Sequence, residues 1–354
     1  MMNSMKRTRI YSELLCLLLC FSLLFSLAGC GSSAMEQKQI FAMDTVMTLT
    51  AYGKHAAAGL NAAAGTISAM DAQLDPEIPT SITYEVNHAE GRSVVIPAQI
   101  AKMLSVAKTV YDRAEGSLDL SIYPVVKLWG FVDSRYYIPT NEELSAAIVK
   151  KAFDKMVLTS YPATGSYSVS FPAGTQISFG AIGKGCAAEN AIDAMRQAGV
   201  SSGIISLGGN VQTLGLKPDG SNWTVAVQDP NDTSTWVGTV SVGETAVVTS
   251  GSYQRFFEND GNIYHHIINP MTAAPVTNNL LSATIICEDG TLADALSTAM
   301  FVLGETRALN YWRAYGGFEM ILITKSNQII CTKGLIESYT PNSTADTYRV
   351  RFAE

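Results

Sequence analysis

The stretch Asp289-Gly290-Thr291-Leu292-Ala293-Asp294-Ala295-Leu296-Ser297-Thr298-Ala299-Met300-Phe301-Val302-Leu303 decides how the rest of this chain is read. Asp289-Gly290 is a turn signal. Thr291 is a good N-cap, and Asp294 three residues on completes a capping-box pattern. Leu296, Ala299, Met300 and Leu303 recur at helical spacing, which predicts a helix with one apolar stripe. Asp294 and Thr298 are four residues apart and share another face. Two roles for Asp294 stand side by side. It caps the helix, or it joins the Thr298 hydroxyl one turn away in offering oxygen ligands to a hard cation such as Mg²⁺.

Moving outward, the apolar runs 281–287 and 318–324 read as strands, and 328–331 forms a hairpin with the second. Upstream, residues 41–52 alternate as one strand. Residues 56–74, 98–115 and 141–156 have helical character, and 75–87 is a Pro-containing loop. Residues 117–131 follow neither period. They crowd Asp119, Ser121, Pro124, Trp129 and Phe131 into a short space, as a core loop or as a pocket for a flat aromatic ligand. Gly180-Ala181-Ile182-Gly183-Lys184-Gly185 lies between a strand-like run, 175–179, and a helix over 186–198. Small residues at such a turn let backbone N–H groups approach a phosphate. Gly208-Gly209-Asn210 is a second tight turn. Alternation in a strand places His265 and His266 on opposite faces, so the pair is a poor metal site. One of them can serve as acid or base, and the other packs.

The amino end carries Lys6, Arg7 and Arg9, then an apolar run over 14–27, then Leu27-Ala28-Gly29-Cys30. This pattern resembles a bacterial lipoprotein leader: residues 1–29 form the signal, Cys30 is the lipidated residue, and 30–39 form a polar tether. The full chain has net charge −7, and loss of 1–29 removes three basic residues and one acidic residue. An acidic chain argues against nucleic acid as a partner. Cys186, Cys287 and Cys331 remain after the leader, without metal spacing, and are expected as buried free thiols.

Seven ordered motifs resemble the ApbE-type FAD:protein FMN transferases. They are Met43-Asp44-Thr45, the run from Asp119-Leu120-Ser121 to Trp129-Gly130-Phe131, Gly180 to Gly185, and Leu207 to Asn210. Thr249 to Phe257, His266-Ile267-Ile268-Asn269-Pro270, and Ala293 to Ala299 complete the set. The resemblance spans about residues 40–335 and implies one transferase domain over 40–354. It implies an α/β (α+β mixed) fold, a β-sheet core with packed helices, and an FAD cleft between a larger and a smaller domain. It implies Mg²⁺-dependent transfer of FMN from FAD to a Thr or Ser hydroxyl, with AMP leaving. The acceptor would be a subunit of a membrane redox complex or an extracytoplasmic flavoprotein. The enzyme would sit on the extracytoplasmic face of the cell membrane, held by its lipid.

By the same resemblance, Ala181 (through its carbonyl), Asp294 and Thr298 hold the metal. Met43, Ser117, Leu118 and Asp119 line the nucleotide site, with Ser178, Lys184 and Ile267 near it. His266 is the candidate base and His265 is structural. Two positions depart from the pattern. Ser178 stands where an acidic residue is frequent, and Asn269 replaces an Asp that could orient His266. Two other activities fit some of these features: an FAD pyrophosphatase giving FMN and AMP, and a lipid-anchored flavin- or solute-binding protein.

Overall fold

The computed structural model describes residues 34–149, 152–343 and 347–354. The expected leader and Cys30 lie outside the described residues. No helix among the described residues is long and apolar enough to cross a membrane.

The centre is a nine-stranded sheet whose strand order follows chain order. Its strands are β1 (Met35–Ala42), β2 (Thr45–Tyr52), β3 (Gly203–Leu207), β4 (Asn210–Leu214), β5 (Ala246–Gly251), β6 (Leu280–Cys287), β7 (Glu319–Thr324), β8 (Gln328–Thr332) and β9 (Arg349–Ala353). Every neighbouring pair is antiparallel except β8 and β9. The chain is therefore a meander from which long excursions leave and return. Five longer helices are carried on those excursions: α1 (Ala56–Leu74), α2 (Ala98–Arg113), α3 (Gly183–Gln197), α4 (Gly290–Leu303) and α5 (Glu305–Tyr315). Shorter helices are named by their residues.

Both faces of the sheet are covered. Met320, Leu322 and Ile330 belong to the helix-side core, while Ile321, Ile323, Ile329 and Cys331 pack under a three-stranded sheet. That smaller sheet is formed by Trp223–Gln228, Trp236–Val242 and Tyr339–Pro341. Double coverage explains why β6 to β8 read as continuous apolar runs rather than as alternation. On the helix side, α3 packs between α1 and α4, and α4 lies on β5 and β6. The mixed α/β character read from the sequence is the observed one. Cys186, Cys287 and Cys331 are free and buried.

Several element boundaries differ from the sequence expectation. The tether expected over 30–39 is already strand from Met35, because β1 pairs along its length with β2. Glu36 and Lys38 alternate with residues of the other face on this edge strand, and the polar composition hides the ladder. The strand expected over 41–52 breaks at a two-residue turn, Met43-Asp44. The loop over 75–87 contains a helix, Ile82–Asn87, capped by Ser81, whose Oγ accepts from the Tyr84 N–H at 2.9 Å. The helix expected over 141–156 stops at Ala147, after a capping box between Thr140 and Glu143. Residues 175–179 form no strand and join no ladder. The Asn87 side chain takes the place of a partner strand, accepting from Ile177 N–H at 2.7 Å and donating to its carbonyl at 3.0 Å.

Candidate active site

The quoted stretch forms α4, but its cap is Asp289, whose carboxylate accepts from the Leu292 N–H at 2.8 Å. Thr291 instead donates its hydroxyl to Glu189 at 2.6 Å. The helix is buried almost all round rather than along one stripe, as expected of a helix inside a core.

Asp294 therefore has no capping duty on its own helix. It is 4% exposed, and its Oδ2 accepts from the backbone N–H of Gly185 at 2.8 Å. Gly185 lies in the first turn of α3, where N–H groups lack intrahelical partners and the helix dipole favours an anion. Only glycine allows the approach, because a Cβ there would sit 2.1 Å from the Gly290 carbonyl oxygen and 2.6 Å from Asp294 Cβ. One turn along α4, the hydroxyl of Thr298 is 3.2 Å from Ser250 Oγ, which also meets Ser297 Oγ at 2.8 Å.

Among the described residues, no group of three His, Cys, Asp or Glu side chains could hold a metal ion. A set of one carboxylate, one hydroxyl and one carbonyl is a different kind of site. Asp294 Oδ1 accepts no hydrogen bond among the described residues, and neither does the Ala181 carbonyl. Oxygen donors of this kind suit a hard cation.

A second cluster stands beside α3. Lys184 is half-buried and has no hydrogen-bond or ion-pair partner among the described residues. His266 follows a hairpin formed by Phe256–Asn259 and Asn262–His265. Its Nδ1 lies 3.1 Å from the Arg255 carbonyl oxygen. A carbonyl can only accept, so this contact places the proton on Nδ1 and leaves the Nε2 lone pair open. The imidazole pKa is pushed down to about 3: burial lowers it most, the Arg255 carbonyl pulls it back, and the charges of Arg255 and Lys184 act in the same direction as burial. The ring is neutral at physiological pH. His265 is buried, donates from Nε2 to the Val276 carbonyl at 3.0 Å, and meets the Phe301 ring edge-on.

The third part is the segment after α2. Asp119 caps a short 3₁₀ turn, Leu120–Ile122, and accepts from Ser121 N–H at 2.8 Å and Ser121 Oγ at 2.6 Å. Burial pushes its carboxyl pKa up against those two bonds. A cleft of about 390 Å³ has Asp119, Ser121 and Ile122 in its wall, and Tyr111, Pro270 and Met271 also line it. The Ser178 N–H donates to the Leu120 carbonyl at 3.1 Å, which ties this wall to the turn before α3.

The sequence profile of the ApbE family matches residues 43–322. The chain belongs to the ApbE family. A relative in Klebsiella pneumoniae, named FAD:protein FMN transferase, is 32% identical over 71% of this chain and 77% of its own length. One in Treponema pallidum with the same name is 29% identical over 89% of this chain and 92% of its own. The crystal structure of the ApbE protein from Thermotoga maritima shares the fold, with a TM-score of 0.75 at 23% identity, covering 89% of this chain and 99% of that one.

Within this ApbE chain, the residues singled out from sequence divide by what they expose. Asp294 bridges to Gly185 of α3, Thr298 one turn along α4 meets Ser250 of β5, Ala181 and Lys184 lie at the start of α3, and the charge of Lys184 acts on His266. Leu118 and Ile267 are core side chains, so they can meet a ligand only through backbone. Ser117 is buried with an unpartnered Oγ, while Ser178 Oγ accepts from Gly180 N–H at 3.2 Å. Trp129 and Phe131 do not form an open slot for a flat ligand. Phe257 and Tyr264 of the hairpin stack at 5.1 Å, and Trp129 meets Tyr264 at 5.6 Å and Phe131 meets Phe257 at 5.8 Å. The protein's own rings fill that space, and Trp129 Nε1 donates to the Ala273 carbonyl at 2.9 Å. Asn269 does not orient His266; its Oδ1 accepts from the Met271 N–H at 2.9 Å. Arg255 carries the histidine instead, through its carbonyl, and its guanidinium donates to the Phe131 carbonyl. Sequence motifs contained Arg255 and Gly185 but gave no sign of these partners, which come from distant segments.

Proposed function

We propose that this chain transfers FMN from FAD to a Ser or Thr hydroxyl of an acceptor protein and releases AMP. One observation carries the reading: a neutral His266 with Nδ1 committed to a carbonyl and Nε2 open, close to the unpaired cation of Lys184. A protein hydroxyl is a weak nucleophile and needs a base within hydrogen-bond reach. His266 Nε2 takes the hydroxyl proton as the acceptor oxygen bonds to the FMN phosphorus. The pyrophosphate P–O bond breaks, and AMP leaves with the bridging oxygen. Lys184 attracts the pyrophosphate charge at the positive end of the α3 dipole.

Asp294, Thr298 and the Ala181 carbonyl would hold Mg²⁺, which when bound neutralises phosphate charge in phosphoryl transfer. The acceptor fits a subunit of a membrane redox complex or an extracytoplasmic flavoprotein. Cys30 fits a lipid anchor that holds the enzyme on the outer face of the bacterial cell membrane. The deciding experiment incubates the protein with FAD, Mg²⁺ and an acceptor protein. Covalent flavin fluorescence on the acceptor is the expected result. Free FMN and AMP without labelled acceptor would make the protein a pyrophosphatase, and intact FAD would make it a binding protein.

A further inference from the structure

The turn between β1 and β2 is built from residues that do not favour its shape. Ala42 pairs directly with Thr45, so Met43 and Asp44 form a two-residue loop. Both have positive φ, 49° and 58°. A loop with both centres in the left-handed region ordinarily uses Asn-Gly or Asp-Gly. Side chains at both places bring Cβ too close to the following carbonyl, and such strain persists only where the surroundings over-determine it.

Two contacts supply that constraint. Thr45 lies against the Gly208 turn, where a Cβ would fall 2.5 Å from Thr45 Oγ1. On the other side, Asp71 of α1 accepts the Met43 N–H on Oδ1 at 3.0 Å. The carboxylate is kept there against opposition. Burial pushes its pKa up, the negative charges of Asp75 and Asp44 push it the same way, and the Met43 amide pulls it back.

We infer that Asp71 is a positioning residue for the flavin nucleotide: it pins the Met43 amide and so holds the strained turn that presents Met43 to the bound nucleotide. This rests on the reading of Met43 as a nucleotide-lining residue in a flavin transferase. Asp71 acts through the turn and does not touch the reacting atoms. Its loss therefore affects nucleotide affinity rather than the rate at saturation. The requirement is for an acceptor oxygen, which Asn also supplies. Glycine at position 44 relaxes the left-handed geometry and makes the pin less necessary.

The test uses the full chain and two readouts: equilibrium FAD binding by flavin fluorescence in the presence of a chelator, and steady-state FMN transfer. Asp71→Ala is expected to weaken FAD binding and raise its KM by about tenfold, the size of one charge-assisted hydrogen bond, with kcat within about twofold. Asp71→Asn should stay within about twofold of the parent in affinity, the margin left when an acceptor oxygen is retained. Adding Asp44→Gly to Asp71→Ala should recover most of the lost affinity. Thermal melts establish that each variant is folded. Unchanged FAD affinity in a folded Asp71→Ala variant overturns the inference. So does an Asn variant as weak as the Ala variant, or a fall in kcat with KM unchanged. A parent chain that binds FAD without transferring FMN would break the proposed reaction, while the binding comparison would still decide the role of Asp71. A parent that does not bind FAD overturns both.

Discussion

Asp294 and His266 are the two ends of the candidate site, and they are mounted in opposite ways. Asp294 sits where two long helices cross above the central sheet, and its partner is the backbone of Gly185. His266 hangs at the base of a hairpin outside that sheet, oriented by a main-chain carbonyl and met edge-on by the Phe131 ring. The first is fixed by scaffold, so its position is coupled to the stability of the whole molecule. The second is fixed by a local unit, so its orientation can change while the core stays intact. This fits a division in which the helix contact holds charge and the hairpin carries the proton.

The sharpest way to break that comparison is Asp294→Ala. It should abolish transfer, while Asp289 still caps α4 and Ala suits a helix interior. The orphaned Gly185 N–H should cost about 1–3 kcal/mol in a denaturant titration. Full activity would return Asp294 to a purely structural role.

At the other end, His266→Ala should lose on the order of 10²–10⁴-fold in transfer rate, the usual range for a missing acid–base group, and still bind FAD. His265→Ala should lose much less rate. It should lose stability instead, because its contacts with Val276 and Phe301 lie in the core. Equal rates in the two variants would place the base elsewhere.

Acidity offers a smaller and separate effect. Folding lowers the His266 pKa to about 3, whereas the unfolded chain titrates near ~6.5. Between those values the unfolded state binds the proton and the folded state does not. Stability should therefore fall as pH drops from about 6.5 toward 3, and His266→Gln should flatten that part of a melting-temperature profile. An unchanged slope would mean that the ring is not desolvated as described. The smallest effect is expected for Asp289→Ala, which removes the cap of α4 at about 1 kcal/mol and leaves the transfer rate unaltered.

Sequence made the apolar strands legible because β6, β7 and β8 are buried on both faces, which leaves little room for polar residues. It could not show their partners. β2 pairs with β3 across an excursion that carries three of the five longer helices and several shorter ones. Edge strand β1 escaped notice because its exposed polar residues look like a linker. The spacing of Asp294 and Thr298 was readable within one helix, but the Gly185 amide that receives Asp294 lies 109 residues away. The aromatic residues 129 and 131 suggested a ligand slot because sequence does not reveal that hairpin rings occupy it. Arg255 and Asp71 act through a backbone carbonyl and a backbone amide respectively, and such contacts leave no residue-type pattern to find.

The most direct test follows the intact mass of an acceptor protein incubated with FAD and Mg²⁺, using the parent enzyme, Asp294→Ala and His266→Ala side by side. The parent should add one FMN to the acceptor, and both variants should leave it unmodified over the same time, with His266→Ala still binding FAD. An acceptor modified at the parent rate by His266→Ala, or never modified by the parent itself, would contradict the division of labour between the helix contact and the hairpin.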